Sequence, residues 1–125
     1  MTVWTARLGV ILALVGVPAA AVDLDGLYKL SHDADCSTLG AQTGVLKIEN
    51  RIFYGAEGQC RMTNPVNVRD MDAQLFDMSC SGEGTKWVER AMVMPAVDGG
   101  LILVWNGYAF QYERCPLPDE TVTTD

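Results

Sequence analysis

The chain predicts a small all-β protein, an antiparallel meander of seven or eight short strands closed into a barrel or flattened into a sandwich and stapled by two disulfides. Three observations carry this. Apolar residues recur with a period of two in short runs, Gly, Asn, Asp and Pro divide those runs, and four cysteines lie among only 125 residues.

Residues 1–21 read as an export signal. Arg7 and the amino terminus precede the apolar run from Leu8 to Val17, Pro18 breaks it, and Ala19-Ala20-Ala21 offers small residues for cleavage before Val22. Ten apolar residues are about half of the roughly 20 that cross a hydrocarbon core, so no stable membrane span is expected after cleavage. The domain that remains spans residues 22–116. Residues 117–125, rich in Thr and acidic side chains, read as a disordered acidic tail.

Residues 26–31 form the first expected strand, and a long polar connection containing Cys36 follows. Val45 to Glu49 alternates, with Leu46 and Ile48 on one face, and Asn50-Arg51 turns the chain into Ile52-Phe53-Tyr54. A strand at residues 60–63 meets Asn64-Pro65, where the missing amide donor of proline implies an edge, a bulge or a break, and another resumes at residues 66–69. Residues 73–80 alternate again, setting Gln74, Phe76, Met78 and Cys80 against Leu75, Asp77 and Ser79. The longest expected strand covers residues 85–94. Asp98-Gly99-Gly100 leads into Leu101 to Trp105, and Asn106-Gly107 turns the chain into a last strand with Tyr108, Phe110 and Tyr112 on one face.

Four cysteines permit three pairings. Cys36–Cys115 with Cys60–Cys80 is favoured because it nests the bridges and ties the first strand region to the last. Disulfides and an export signal together place the protein in the periplasm or outside the cell.

Charge narrows the function classes. The chain carries 9 Lys and Arg against 16 Asp and Glu, a net charge of −7. Such acidity disfavours nucleic acid and suits solubility or a basic partner. One histidine, His32, and cysteines expected to be oxidised leave no base and nucleophile for a triad, so the protein reads as a binding domain and not an enzyme. His32 could pair with Asp33 or Asp35. The oxygen-rich stretch beginning there resembles half a calcium loop, but Thr38 stands where glycine is needed and Gly44 where a bidentate carboxylate is needed. No metal or other cofactor is implied.

Two sets of residues are candidate sites. The first is the loop Ser81, Gly82, Glu83, Gly84, Lys86 and Trp87, where two glycines flank a carboxylate between Cys80 and a new strand. This segment resembles the Ser-Gly loop, with its basic and aromatic residues, of the periplasmic and membrane-bound inhibitors of C-type lysozyme, which are small exported β-barrels. The resemblance implies a partner-binding role in which Ser81 and Lys86 enter the lysozyme cleft toward its catalytic carboxylates. Trp87 takes the aromatic position, and Trp105-Asn106-Gly107 is similar to a following Trp-x-x-Gly segment. Glu83 departs from that pattern, since its carboxylate would meet the acidic pair with like charge. The second set is Trp105, Tyr108, Phe110 and Tyr112, which would line an apolar pocket if the barrel is open at one end. The leading expectation is thus a lysozyme-inhibitor-like protein that plugs a cleft. A small-ligand carrier of lipocalin-like architecture and a structural accessory protein of the cell envelope are the alternatives.

Overall fold

The computed structural model describes residues 22–40, 43–55 and 58–116, with positions 2, 3, 5 and 9–14. The expected leader falls mostly, and the expected tail wholly, outside them. The described chain is all-β. Its strands are β1 (Gly26–Lys29), β2 (Val45–Glu49), β3 (Ile52–Tyr54), β4 (Gln59–Asn67), β5 (Gln74–Gly82), β6 (Thr85–Pro95), β7 (Leu101–Trp105) and β8 (Tyr108–Arg114). Each pairs antiparallel with its neighbours in sequence, and β8 returns to β1, so the sheet is a closed eight-stranded up-and-down barrel. Closure gives every strand two neighbours, so no strand is left unpaired along its whole length.

Strict alternation builds the interior. On β5, Gln74, Phe76, Met78 and Cys80 are buried, while Ser79 between them is exposed. Ile48, Met78, Val93, Leu101 and Leu103 are the largest side chains wholly removed from solvent. The bottom of the barrel is partly covered. Leu24 is buried there, Val22 packs against the same core, and the Tyr28 hydroxyl donates to the Leu24 carbonyl at 2.7 Å. Burial pushes the Tyr28 phenol above its usual range, and the nearby Arg114 guanidinium only partly opposes this.

Local chemistry explains the turns. Asn50 and Arg51 both adopt positive φ (51° and 62°), the backbone that lets a two-residue connection follow the twist of β2 and β3. At the Asn106-Gly107 turn only Gly107 is left-handed (φ 103°). The two strands expected on either side of Asn64-Pro65 are one strand, β4, whose register against β5 shifts between Thr63 and Val66. Asn64 takes φ 52°, and its side chain donates to Asp77 at 3.0 Å. Thr63 donates to the Asp77 carbonyl at 2.6 Å, so a bulge absorbs the proline without ending the strand. The hydrogen bond from Asn64 and the salt bridge with Arg90 hold the Asp77 carboxyl below its ordinary range.

The closing seam is short. β1 meets β8 only at Tyr28 with Arg114 and at Lys29 with Glu113, and the Cys115 amide adds a bond to the Leu27 carbonyl at 2.8 Å. Cys36 pairs with Cys115 and Cys60 with Cys80, as the sequence suggested. The first bridge draws the β1–β2 connection back over the seam. His32 does not pair with Asp33 or Asp35: its Nδ1 lies 3.1 Å from Glu113, which also faces Lys29 at 4.0 Å. Asp35 instead accepts from the amide and hydroxyl of Ser37 (2.9 and 2.6 Å), a local turn cap.

The two bridges enclose very different spans, 79 and 20 residues. Replacing Cys36 and Cys115 together by serine is expected to cost about 4 kcal/mol, against about 3 kcal/mol for Cys60 and Cys80. Urea unfolding followed by circular dichroism checks this, and an unchanged midpoint without the wide bridge would mean that the β1–β8 ladder holds by itself.

Candidate functional site

The mouth of the barrel is set by strands of unequal height. Pairing of β6 with β7 ends at Ala91 with Trp105, whereas pairing of β6 with β5 continues to Gly82 with Thr85. The β5–β6 hairpin therefore stands above the β7–β8 hairpin. Inward parity on β6 runs from buried Val93 and Ala91 to Glu89 and Trp87, so these two side chains occupy the inner face of the taller wall. On β7 and β8 the same parity carries Trp105, Tyr108, Phe110 and Tyr112, with Trp105 directly opposite Tyr108 and Leu103 opposite Phe110.

These residues line one cavity of about 500 Å³, with Phe53 and Leu46 deeper in its wall and Leu30 on its rim. All four pocket residues expected from the sequence are brought together here, and Trp87 joins them. The aromatic rings support one another: Phe53 meets Trp105 edge-on at 6.0 Å, Tyr108 meets Phe110 edge-on at 5.6 Å, and Phe110 meets Tyr112 at 6.0 Å. Burial pushes the Tyr112 phenol above its ordinary range. Toward solvent the cup stays apolar, since Tyr108 is 55% and Trp87 39% exposed, with exposed Leu30 beside them.

Glu89 is the acidic lining residue that the sequence reading missed. The Trp87 indole N–H donates to its carboxylate at 2.7 Å, and no cation pairs with it among the described residues. An acidic residue two places from Trp87 and two from Ala91 on an alternating strand was the available signal.

The loop from Ser81 to Trp87 is a tight hairpin. Glu83 and Gly84 form its two-residue turn with φ of 50° and 75°, and Ser81 stands directly across from Lys86. The same period of two that turns Trp87 inward turns Ser81 and Lys86 outward. There they line a second concavity, of about 520 Å³, with Gln59, Arg61, Ser79 and Val88, and Trp87 borders it too. The loop set thus faces two surfaces, with Ser81 and Lys86 on the outer one, Trp87 bordering both that face and the cup, and Gly82, Glu83 and Gly84 at the tip.

Comparison with family models, with curated proteins and with solved structures finds no match to this chain.

The hairpin is seated by a close backbone approach. A side chain at Gly58 would collide with the Ser81 carbonyl, so only glycine lets the end of the β3–β4 connection lie against β5. Gly58→Ala is expected to destabilise the fold by roughly 1–3 kcal/mol, read as a lower urea midpoint. A change below about 0.5 kcal/mol would show that the two segments part freely.

Proposed function

We propose that this protein is an exported, non-enzymatic binding domain that holds a small, largely apolar molecule in the mouth of its barrel. The observation that carries the reading is the cavity of about 500 Å³ lined by Trp87, Trp105, Tyr108, Phe110 and Tyr112. Its size falls within the roughly 300–1,000 Å³ typical of small-molecule sites. A domain this small ordinarily spends its aromatic residues on burial, yet here five of them border open space. The two disulfides fit an oxidising compartment, and residues 1–21 support export.

The neutral fluorophore N-phenyl-1-naphthylamine tests the reading, because its emission rises when it enters an apolar site. Saturable binding is expected. Tyr108→Ala should weaken it about tenfold while leaving stability within about 0.5 kcal/mol, since Tyr108 is more than half exposed. Absence of saturable binding to the disulfide-bonded protein would overturn the reading.

A second reading rests on the pairing of Ser81 with Lys86 on the outer face. Beside Arg61 they give that face two cations, which suits an acidic cleft such as that of a C-type lysozyme. On this reading Lys86→Glu abolishes inhibition of a C-type lysozyme without altering the fold. Titration of the enzyme with the oxidised protein at low and physiological salt checks it, because a specific complex survives salt that screens general charge attraction.

A further inference from the structure

We infer that the molecule held in the cup is an organic cation, an ammonium ion on an apolar body, with Glu89 as its counter-ion. The inference rests on the small-molecule reading above and names the chemistry of its ligand. Three observations converge on it.

First, among the described residues Glu89 is the one acidic side chain of the cavity lining, and no Lys, Arg or His joins it there. Second, no cation of the described residues pairs with that carboxylate. Its hydrogen bond comes from the neutral Trp87 indole, which satisfies part of one oxygen's capacity and adds no charge. The basic residues flanking it in sequence point elsewhere, because Lys86 and Arg90 have outward parity and Arg90 is engaged with Asp77 at 3.2 Å. A half-buried carboxylate without a cation carries a desolvation cost that a bound ammonium would offset.

Third, the lining around Glu89 is rich in aromatic side chains. Trp87, Trp105, Tyr108 and Phe110 border the same space, and indole, phenol and phenyl faces attract cations through their quadrupoles, most strongly where water is excluded. A neutral apolar ligand would leave the Glu89 charge without a partner, and an anion would be repelled by it. An ammonium group beside Glu89, with its apolar body against the rings, satisfies both kinds of wall at once. The net charge of −7 favours approach of a cation from any direction, so the test separates local from global charge.

The experiment displaces N-phenyl-1-naphthylamine from the full disulfide-bonded protein with three probes that share one aromatic body: phenethylammonium, phenethyl alcohol and 3-phenylpropanoate. Phenethylammonium is expected to compete at about tenfold lower concentration than the alcohol, and the carboxylate is expected to compete worst. Glu89→Gln should bring the ammonium and the alcohol level, each read relative to that variant's own affinity for the fluorophore. Glu83→Gln, which removes the same charge at the hairpin tip outside the cup, should keep the preference.

Fluorophore binding with no preference for the ammonium, or a preference that persists in Glu89→Gln, would overturn the counter-ion while leaving the small-molecule reading intact. A preference lost equally in Glu83→Gln would assign it to overall acidity and overturn the inference too. Absence of fluorophore binding and of direct phenethylammonium binding by calorimetry would overturn both. Even where a variant does not fold, a ranking on the unaltered protein in which the alcohol or the carboxylate competes as well as the ammonium overturns the inference.

Discussion

The seam between β1 and β8 is the constraint on which the rest of the barrel depends. Every other neighbour in the sheet is joined to the next by a connection along the chain, so its pairing is favoured by proximity. The first and last strands instead meet across nearly the whole domain, and the loss of chain entropy on bringing them together is correspondingly large. The ladder that rewards this meeting is short. The Cys36–Cys115 bridge offsets part of the loss by restricting the unfolded chain before the ladder forms. Glu113, flanked by Lys29 and His32, adds only the modest gain of exposed charges.

The shortness of that seam also shapes the site. β1 reaches no higher than Lys29, opposite Glu113, so the stretch of β8 from Tyr108 to Tyr112 has β7 on one side and no strand on the other. At that side the wall is completed by the β1–β2 connection, which contributes Leu30, Gly40 and Gly44 to the cavity lining. A β1 long enough to pair with all of β8 would extend the ladder beside the aromatic stripe. Closure is thus secured near the bottom of the barrel, where Leu24 and Tyr28 complete the core, and relaxed near the mouth, where the aromatic cavity lies.

Much of this architecture was legible in the sequence because it follows from alternation and turn chemistry. The parity of residues 74–80 separated the two faces of β5 directly, Asn50-Arg51 gave its turn, and the nesting of four cysteines gave the bridges. The stripe Tyr108, Phe110, Tyr112 was legible for the same reason. What escaped reading depends on relations between strands. Asn64-Pro65 looked able to break the strand, and only the partner across the sheet, where Asp77 holds Asn64 and Thr63, makes it a bulge. Glu89 escaped because its shared parity with Trp87 and Ala91 marks it as inward only after the two faces of that strand have been assigned. Its position becomes meaningful once β6 is known to rise above β7 and to turn that residue into the cup.

Register is the last link between the bridges and the chemistry. Cys60 and Cys80 face one another directly across β4 and β5, and Cys80 in turn faces Trp87 across β5 and β6. A one-residue slip of β6 against β5 would exchange its two faces, turning Trp87 and Glu89 out and Lys86, Val88 and Arg90 in. The aromatic wall would then lose one of its tryptophans, and the cup would exchange its carboxylate for two cations. A covalent bond between inward-facing positions resists such a slip in β5, and the two-residue Glu83-Gly84 turn transmits that register to β6, since so short a connection leaves no slack to absorb a shift. The narrow bridge therefore does more than its share of loop entropy suggests, because it fixes which charge the cup presents.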